Sequence, residues 1–147
     1  MAKRWCRLAA FQLAALMLPG ALCAAAIRIS DPAVFVREVY RQSAASDKSG
    51  DDYMPPEDVF TPRLSALLAE EKRWANGEVG CLDFVFWVNG QDYALKDVHV
   101  TSRKVAAHPD RRLVIAAFIN LGAPQQIHFD FRRIGGLWLL DDVRSLS

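Results

Sequence analysis

Apolar positions along this chain change their period partway through. Ser30-Asp31-Pro32 opens a helix, with a capping oxygen followed by proline in the first turn. Val34, Phe35, Val39 and Tyr40 then form an apolar stripe, while Arg37, Glu38 and Arg41 face outward. The stretch from Ser43 to Tyr53 is small and polar and reads as a loop. Glu57 to Phe60 suits one helical turn, and Thr61-Pro62 starts a second helix by the same capping logic. Leu64, Leu67, Leu68 and Trp74 fall at helical spacing, with Glu70, Glu71, Lys72 and Arg73 on the wet side, and Asn76-Gly77 ends the helix.

From residue 93 the period falls to that of strands. Val98 and Val100 alternate with Asp97, His99 and Thr101, and Leu95 is out of phase with them, which predicts a bulge or a late start of the strand. His108-Pro109-Asp110 reads as a turn and Gly135-Gly136 as a hairpin turn. Ile127, Phe129 and Phe131 alternate with His128, Asp130 and Arg132, so the histidine and the aspartate point away from the core face. Leu113 to Ile119 and Leu137 to Leu140 are apolar on both faces. The face away from the helices must then be exposed, covered or paired, and a homodimer through the sheet is expected. Helices followed by antiparallel strands give an α+β class, with N-terminal helices packed in a curved antiparallel sheet.

The N-terminus changes the picture of where the chain acts. Lys3, Arg4 and Arg7 precede an apolar run from Leu8 to Leu18, then Pro19-Gly20 and a small-residue exit at Ala24-Ala25-Ala26. That order is a cleaved secretory signal over residues 1–26, which leaves a single domain over 27–147 in the periplasm or outside the cell. Removing the signal takes the net charge from +1 to about −2. No lysine–arginine block remains, which argues against nucleic acid as a partner, and no later run is long and apolar enough to cross a bilayer. Cys81 is then the lone cysteine of the mature chain and reads as a small buried apolar residue beside Gly80. Without a Cys-x-x-Cys motif or a histidine pair at zinc spacing, no metal or cofactor is expected.

The motif LDFVFWVNGQDY at 82–93, the strands after it, and GLWLLDDV at 136–143 resemble the domain of unknown function 3828 family. That family consists of exported bacterial proteins and is similar to the nuclear-transport-factor-2-like folds. The resemblance implies a cone of helices inside a strongly bent antiparallel sheet, often with a pocket at its mouth. It rests chiefly on Gln91-Asp92 and on Trp138, Leu140 and Asp142. Asp83, Asn89, Gln91 and Asp92 match the pattern. Val85 and Phe86 stand where relatives tend to carry Asp-Pro, which removes a second carboxylate near Asp83.

Candidate chemistry is sparse. His99 and His128 oppose the apolar side of their strands and His108 lies in the expected turn, so no histidine is placed in a concave site and no catalytic residue is assigned. Phe84, Phe86 and Trp87 suit a core, with a ligand pocket as the other reading, and the charged stretch at 46–52 suits a surface loop or a partner contact. Gln91-Asp92 suits a clamp between the aromatic segment and the first strand, because aspartate accepts from turn N–H groups and glutamine both donates and accepts. The same pair sits where a cone would open, so Asp83, Gln91, Asp92, Tyr93 and Trp138 are the candidate binding residues. The function expected is a non-enzymatic binding module for a protein or a small apolar ligand, an immunity-type protein being one form. The alternative is a small pocket enzyme using Asp83 or Asp92 as general base.

Overall fold

The computed structural model describes residues 28–46, 52–78, 80 and 84–146. They form helix α1 (Pro32–Ser46), a 3-10 turn (Glu57–Val59), helix α2 (Pro62–Ala75) and strands β1 (Leu95–Val105), β2 (His108–Asn120), β3 (Ala123–Ile134) and β4 (Leu137–Ser145). The class is α+β: two α-helices and one antiparallel sheet in which each strand pairs with its neighbour in sequence, in the order β1-β2-β3-β4.

Helix α1 starts as its residues dictate. Asp31 Oδ1 accepts from the backbone N–H of Ala33 at 2.7 Å and of Val34 at 3.3 Å, meeting donors that the first turn leaves unpaired. The buried face is Ala33, Val36, Val39, Tyr40 and Ser43, so Val36 takes the place expected for Val34, which is 54 % exposed. The helix also runs past Ser43 to Ser46, into the expected loop. Ser43 can stay helical because its hydroxyl donates back to the Val39 carbonyl at 3.0 Å.

Helix α2 departs further from its pattern. Thr61 caps it, accepting from Leu64 N–H at 3.3 Å, and Asn76 ends it in the left-handed region at φ 47°. Of the expected stripe, however, only Leu64 is buried; Leu68 is half-buried, Leu67 is exposed and Trp74 is 81 % exposed. The reason lies in how the helix is held. Thr61 N–H donates to the Leu140 carbonyl at 2.8 Å, Thr61 Oγ1 donates to Asp141 Oδ1 at 2.8 Å, and Arg63 donates to the Asp141 carbonyl. These ties join the first turn to β4, while the remaining turns lie over a cleft.

In the sheet, the bulge expected at the start of β1 is present. Its register slips between Lys96 and His99, so Asp97 and Val98 together oppose Phe118, and Asp97 takes φ 52°. The expected turn at His108–Asp110 is instead the start of β2. Val105 pairs with His108, so Ala106-Ala107 makes the turn, with Ala107 at φ 60°. Gly135-Gly136 turns between Ile134 and Leu137 with both φ positive, as a primed two-residue turn requires.

The helices cover one face of the sheet. Val114, Ala116, Phe118, Ile127, Phe129, Phe131 and Leu140 pack there with Val36, Val39 and Tyr40 of α1 and with Trp87 and Val88. The Tyr40 ring lies 5.1 Å from Phe118 and 6.1 Å from Phe129, centre to centre. Burying an aromatic such as Phe129 contributes about 2–3 kcal/mol by area alone. On the opposite face Ile115 lies between Thr101 and His128, below Leu113 and above Ala117. His99, His128 and Asp130 share that face, the side expected for them.

Candidate functional site

Residues 84–94 form a tight corner between α2 and the sheet. Val85 N–H donates to the Gly90 carbonyl at 3.1 Å and Val88 N–H to the Val85 carbonyl at 3.0 Å, closing the turn around Asn89, which takes φ 55°. The turn is pinned from below. Tyr40 Oη donates to the Trp87 carbonyl at 2.7 Å, and Asn89 Nδ2 donates to Gln125 Oε1 at 3.0 Å. Asn120, at the end of β2 and 6 % exposed, reaches into the corner twice. Its Oδ1 accepts from Ala94 N–H at 3.0 Å and its Nδ2 donates to the Val88 carbonyl at 3.3 Å. Gly90 fits closely here: a Cβ would lie 3.0 Å from the Asp92 carbonyl and 3.4 Å from Asn120 Nδ2, so a larger residue would crowd the turn.

Asn120, a residue that the sequence pattern did not single out, clamps this corner. Gln91 and Asp92 beside it are both exposed. Asn120 sits among apolar residues of β2, and only the pairing of strands brings it beside the turn. A polar residue closing a long apolar run was the available signal.

The corner presents Phe84 and Phe86 to a cleft beneath α2. Its main hollow, about 600 Å³, is bounded by Met54, Phe60, Leu68, Ala75, Phe84 and Phe86. Two further hollows adjoin it and share both phenylalanines. One, about 340 Å³, lies beside Asp52, Tyr53, Trp87 and Gln91; the other, about 420 Å³, runs between Leu64, Leu67 and Val143. The aromatic segment thus divides. Trp87 is core, packed edge-on to Phe86 at 4.6 Å, whereas Phe84 is 38 % exposed and walls the cleft with Phe86. Among the described residues charge is uneven around the main hollow: Glu57, Glu71 and Glu78 line it with Lys72 as the opposing cation. Gly80 tucks against α2, where a Cβ would meet Glu71 Oε1 at 2.5 Å.

The structure brings only part of the expected set together. Gln91 lines the second hollow, and Tyr93, though buried, donates its hydroxyl to Asp52 Oδ1 at 3.5 Å on the same hollow. Asp92 is exposed at the corner. Trp138 lies apart on β4, buried under Ile29, with the guanidinium groups of Arg112 and Arg133 at 5.5 Å and 5.9 Å from its ring. Asp83 and Cys81 lie outside the described residues. The indole Nε1 of Trp87 is buried with no hydrogen-bond partner among the described residues, an unusual state for a core donor.

Among the described residues no three histidine, cysteine or carboxylate side chains gather as metal ligands, and no helix is long and apolar enough to cross a membrane. Outside the cleft several titrating groups are displaced from their ordinary range, Tyr40 and His128 among them. Burial holds the Tyr40 phenol well above it. Partial burial, aided by the charge of Arg144, lowers the pKa of His128. No family model matches the chain, and neither a curated protein nor a solved structure is detectably similar to it.

Proposed function

We propose that this chain is an exported binding module that holds a small apolar ligand in the cleft beneath α2. The observation that carries the reading is the apolar hollow of about 600 Å³ walled by Phe84 and Phe86. Its size falls in the range of small-molecule sites, which are mostly apolar with a few polar groups at their edge. Export is supported by the basic, apolar and small-residue order of residues 1–26. The α+β order and the motifs at 82–93 and 136–143 support placing the chain near the domain of unknown function 3828 family and its cone-shaped relatives.

Nile red, a neutral dye that brightens in apolar surroundings, tests the reading. The purified protein should bind it saturably at micromolar concentration, and Phe84→Ala should weaken binding at least threefold. Phe84 is partly exposed, so its loss costs little stability. Val34→Ala, on the exposed side of α1, serves as the control. A dye signal absent from the wild type, or equal in Phe84→Ala and wild type, would reject the cleft as a binding site.

A further inference from the structure

The charge lining the cleft selects among apolar ligands. Glu57 comes from the 3-10 turn, Glu71 from α2 and Glu78 from the segment after it, so separate parts of the chain bring carboxylates to one hollow. Among the described residues Lys72 is the cation that lines it with them. Asp52 adds a further carboxylate at the adjoining hollow, which shares Met54, Phe84 and Phe86 with the first. The mature chain as a whole is close to neutral, so this imbalance is local. The apolar walls and the carboxylates ask for different ends of one molecule.

We infer that the occupant is a small cationic amphiphile, with its apolar body between Phe84, Phe86 and Leu68 and its positive head toward Glu57, Glu71 and Glu78. The inference rests on the reading of the cleft as a ligand site and adds the charge of the ligand. An apolar body gains from leaving water whatever its head carries. A cation gains further from carboxylates beside a low-dielectric wall, whereas an anion is repelled by the same groups. The volume of the main hollow suits a small molecule rather than a folded partner.

The test compares ligands of equal tail and different head. Decyltrimethylammonium, decyl maltoside and decanoate, each below its micelle concentration, are titrated against the Nile red complex. The cation should displace the dye at a concentration about fivefold below that of the neutral maltoside, equivalent to about 1 kcal/mol, with decanoate weaker than both. The triple variant Glu57→Gln, Glu71→Gln, Glu78→Gln should still bind Nile red but lose the preference for the cation, and 0.5 M salt should reduce that preference in the wild type. Circular dichroism of the variant confirms that it folds.

Equal displacement by the three ligands, or preference for decanoate, would overturn the inference while leaving the cleft reading standing, because the dye still binds. Failure of Nile red itself would remove the cleft reading and the inference together. A final arm uses a lysine-bearing amphipathic peptide. Displacement by that peptide without displacement by decyltrimethylammonium would show a peptide groove and also overturn the inference.

Discussion

Replacing Asn120 tests whether the corner that carries Phe84 and Phe86 is held from the end of β2. Asn120→Ala removes the acceptor of Ala94 N–H and the donor to the Val88 carbonyl. The Val88 carbonyl loses its Asn120 donor in a buried setting and Ala94 N–H loses its acceptor in a partly buried one. Each loss costs roughly 1–3 kcal/mol, so the variant should be less stable by about 2–6 kcal/mol. With a urea slope of about 2 kcal/mol per molar for a domain of this size, the midpoint should fall by about 1–3 M. Asn120→Asp sharpens the test. The carboxylate still accepts from Ala94 N–H but cannot donate to Val88, and it is buried as a charge. Its native pKa should therefore rise above the unfolded value near 3.9. Stability should then be highest below that unfolded value and be lost as pH rises through the raised native one, because the protonated acid can donate to Val88. Urea titrations at pH 4 and pH 7 measure this. An alanine variant within 0.5 kcal/mol of wild type, or an aspartate variant without this pH slope, would refute the clamp.

Tyr40→Phe should destabilise the fold by about 1–2 kcal/mol by leaving the Trp87 carbonyl without its donor. Because the native phenol has a raised pKa, wild-type stability should fall as pH rises above about 10, and the phenylalanine variant should lose that part of the slope in alkaline urea titrations. His128 has a lowered native pKa, so its contribution is present above its unfolded value near 6.5 and is lost as pH falls; His128→Gln should flatten the stability profile between pH 7 and pH 5. Gly135→Asn should raise the melting temperature slightly, by about 0.5 kcal/mol in stability, since asparagine accepts the φ of 58° and restricts the unfolded chain. Pairing through the open face of the sheet, with Ile115 at its centre, would bring together faces that each carry Arg103, Arg111, Arg132 and Arg144 against Asp130 and Asp142, an excess of positive charge. The proposed homodimer should therefore strengthen with salt, and light scattering that finds a monomer at both low and high ionic strength would remove it.

Where the sequence was informative, a local rule was enough. Aspartate before proline capped α1, Thr61-Pro62 opened α2, Leu95 out of phase marked the bulge, and paired glycines made the last hairpin. The errors came from tertiary choices. Ala106-Ala107 turns without glycine or asparagine because the pairing on either side imposes the conformation, so His108-Pro109-Asp110 attracted the assignment instead. The stripe on α2 has helical spacing, but spacing does not say whether a partner surface exists, and Leu67 and Trp74 meet none in the core. At the site, Phe84, Phe86, Gln91 and Tyr93 were named from one contiguous motif. Met54, Glu57, Leu68 and Glu78 were not, since they reach the cleft from separate segments and carry no motif of their own. Asn120 is the clearest case: its role exists only because β2 ends beside the turn at 86–89.

Helix α2 behaves as a beam fixed at one end. Thr61, Arg63 and Leu64 join its first turn to β4, while from Leu67 to Trp74 it offers the core little more than Leu68. Among the described residues, tilting its far end breaks few buried contacts, so the roof of the cleft can rise or fall at a small fraction of the global unfolding energy. Amides in its last two turns should accordingly exchange with solvent far sooner than those of β2 and β3. A ligand wedged against Phe84 should slow the exchange of those helix amides while leaving the sheet unchanged. The hydrophobic surplus of α2 is then what lets one rigid sheet serve a binding space of adjustable height.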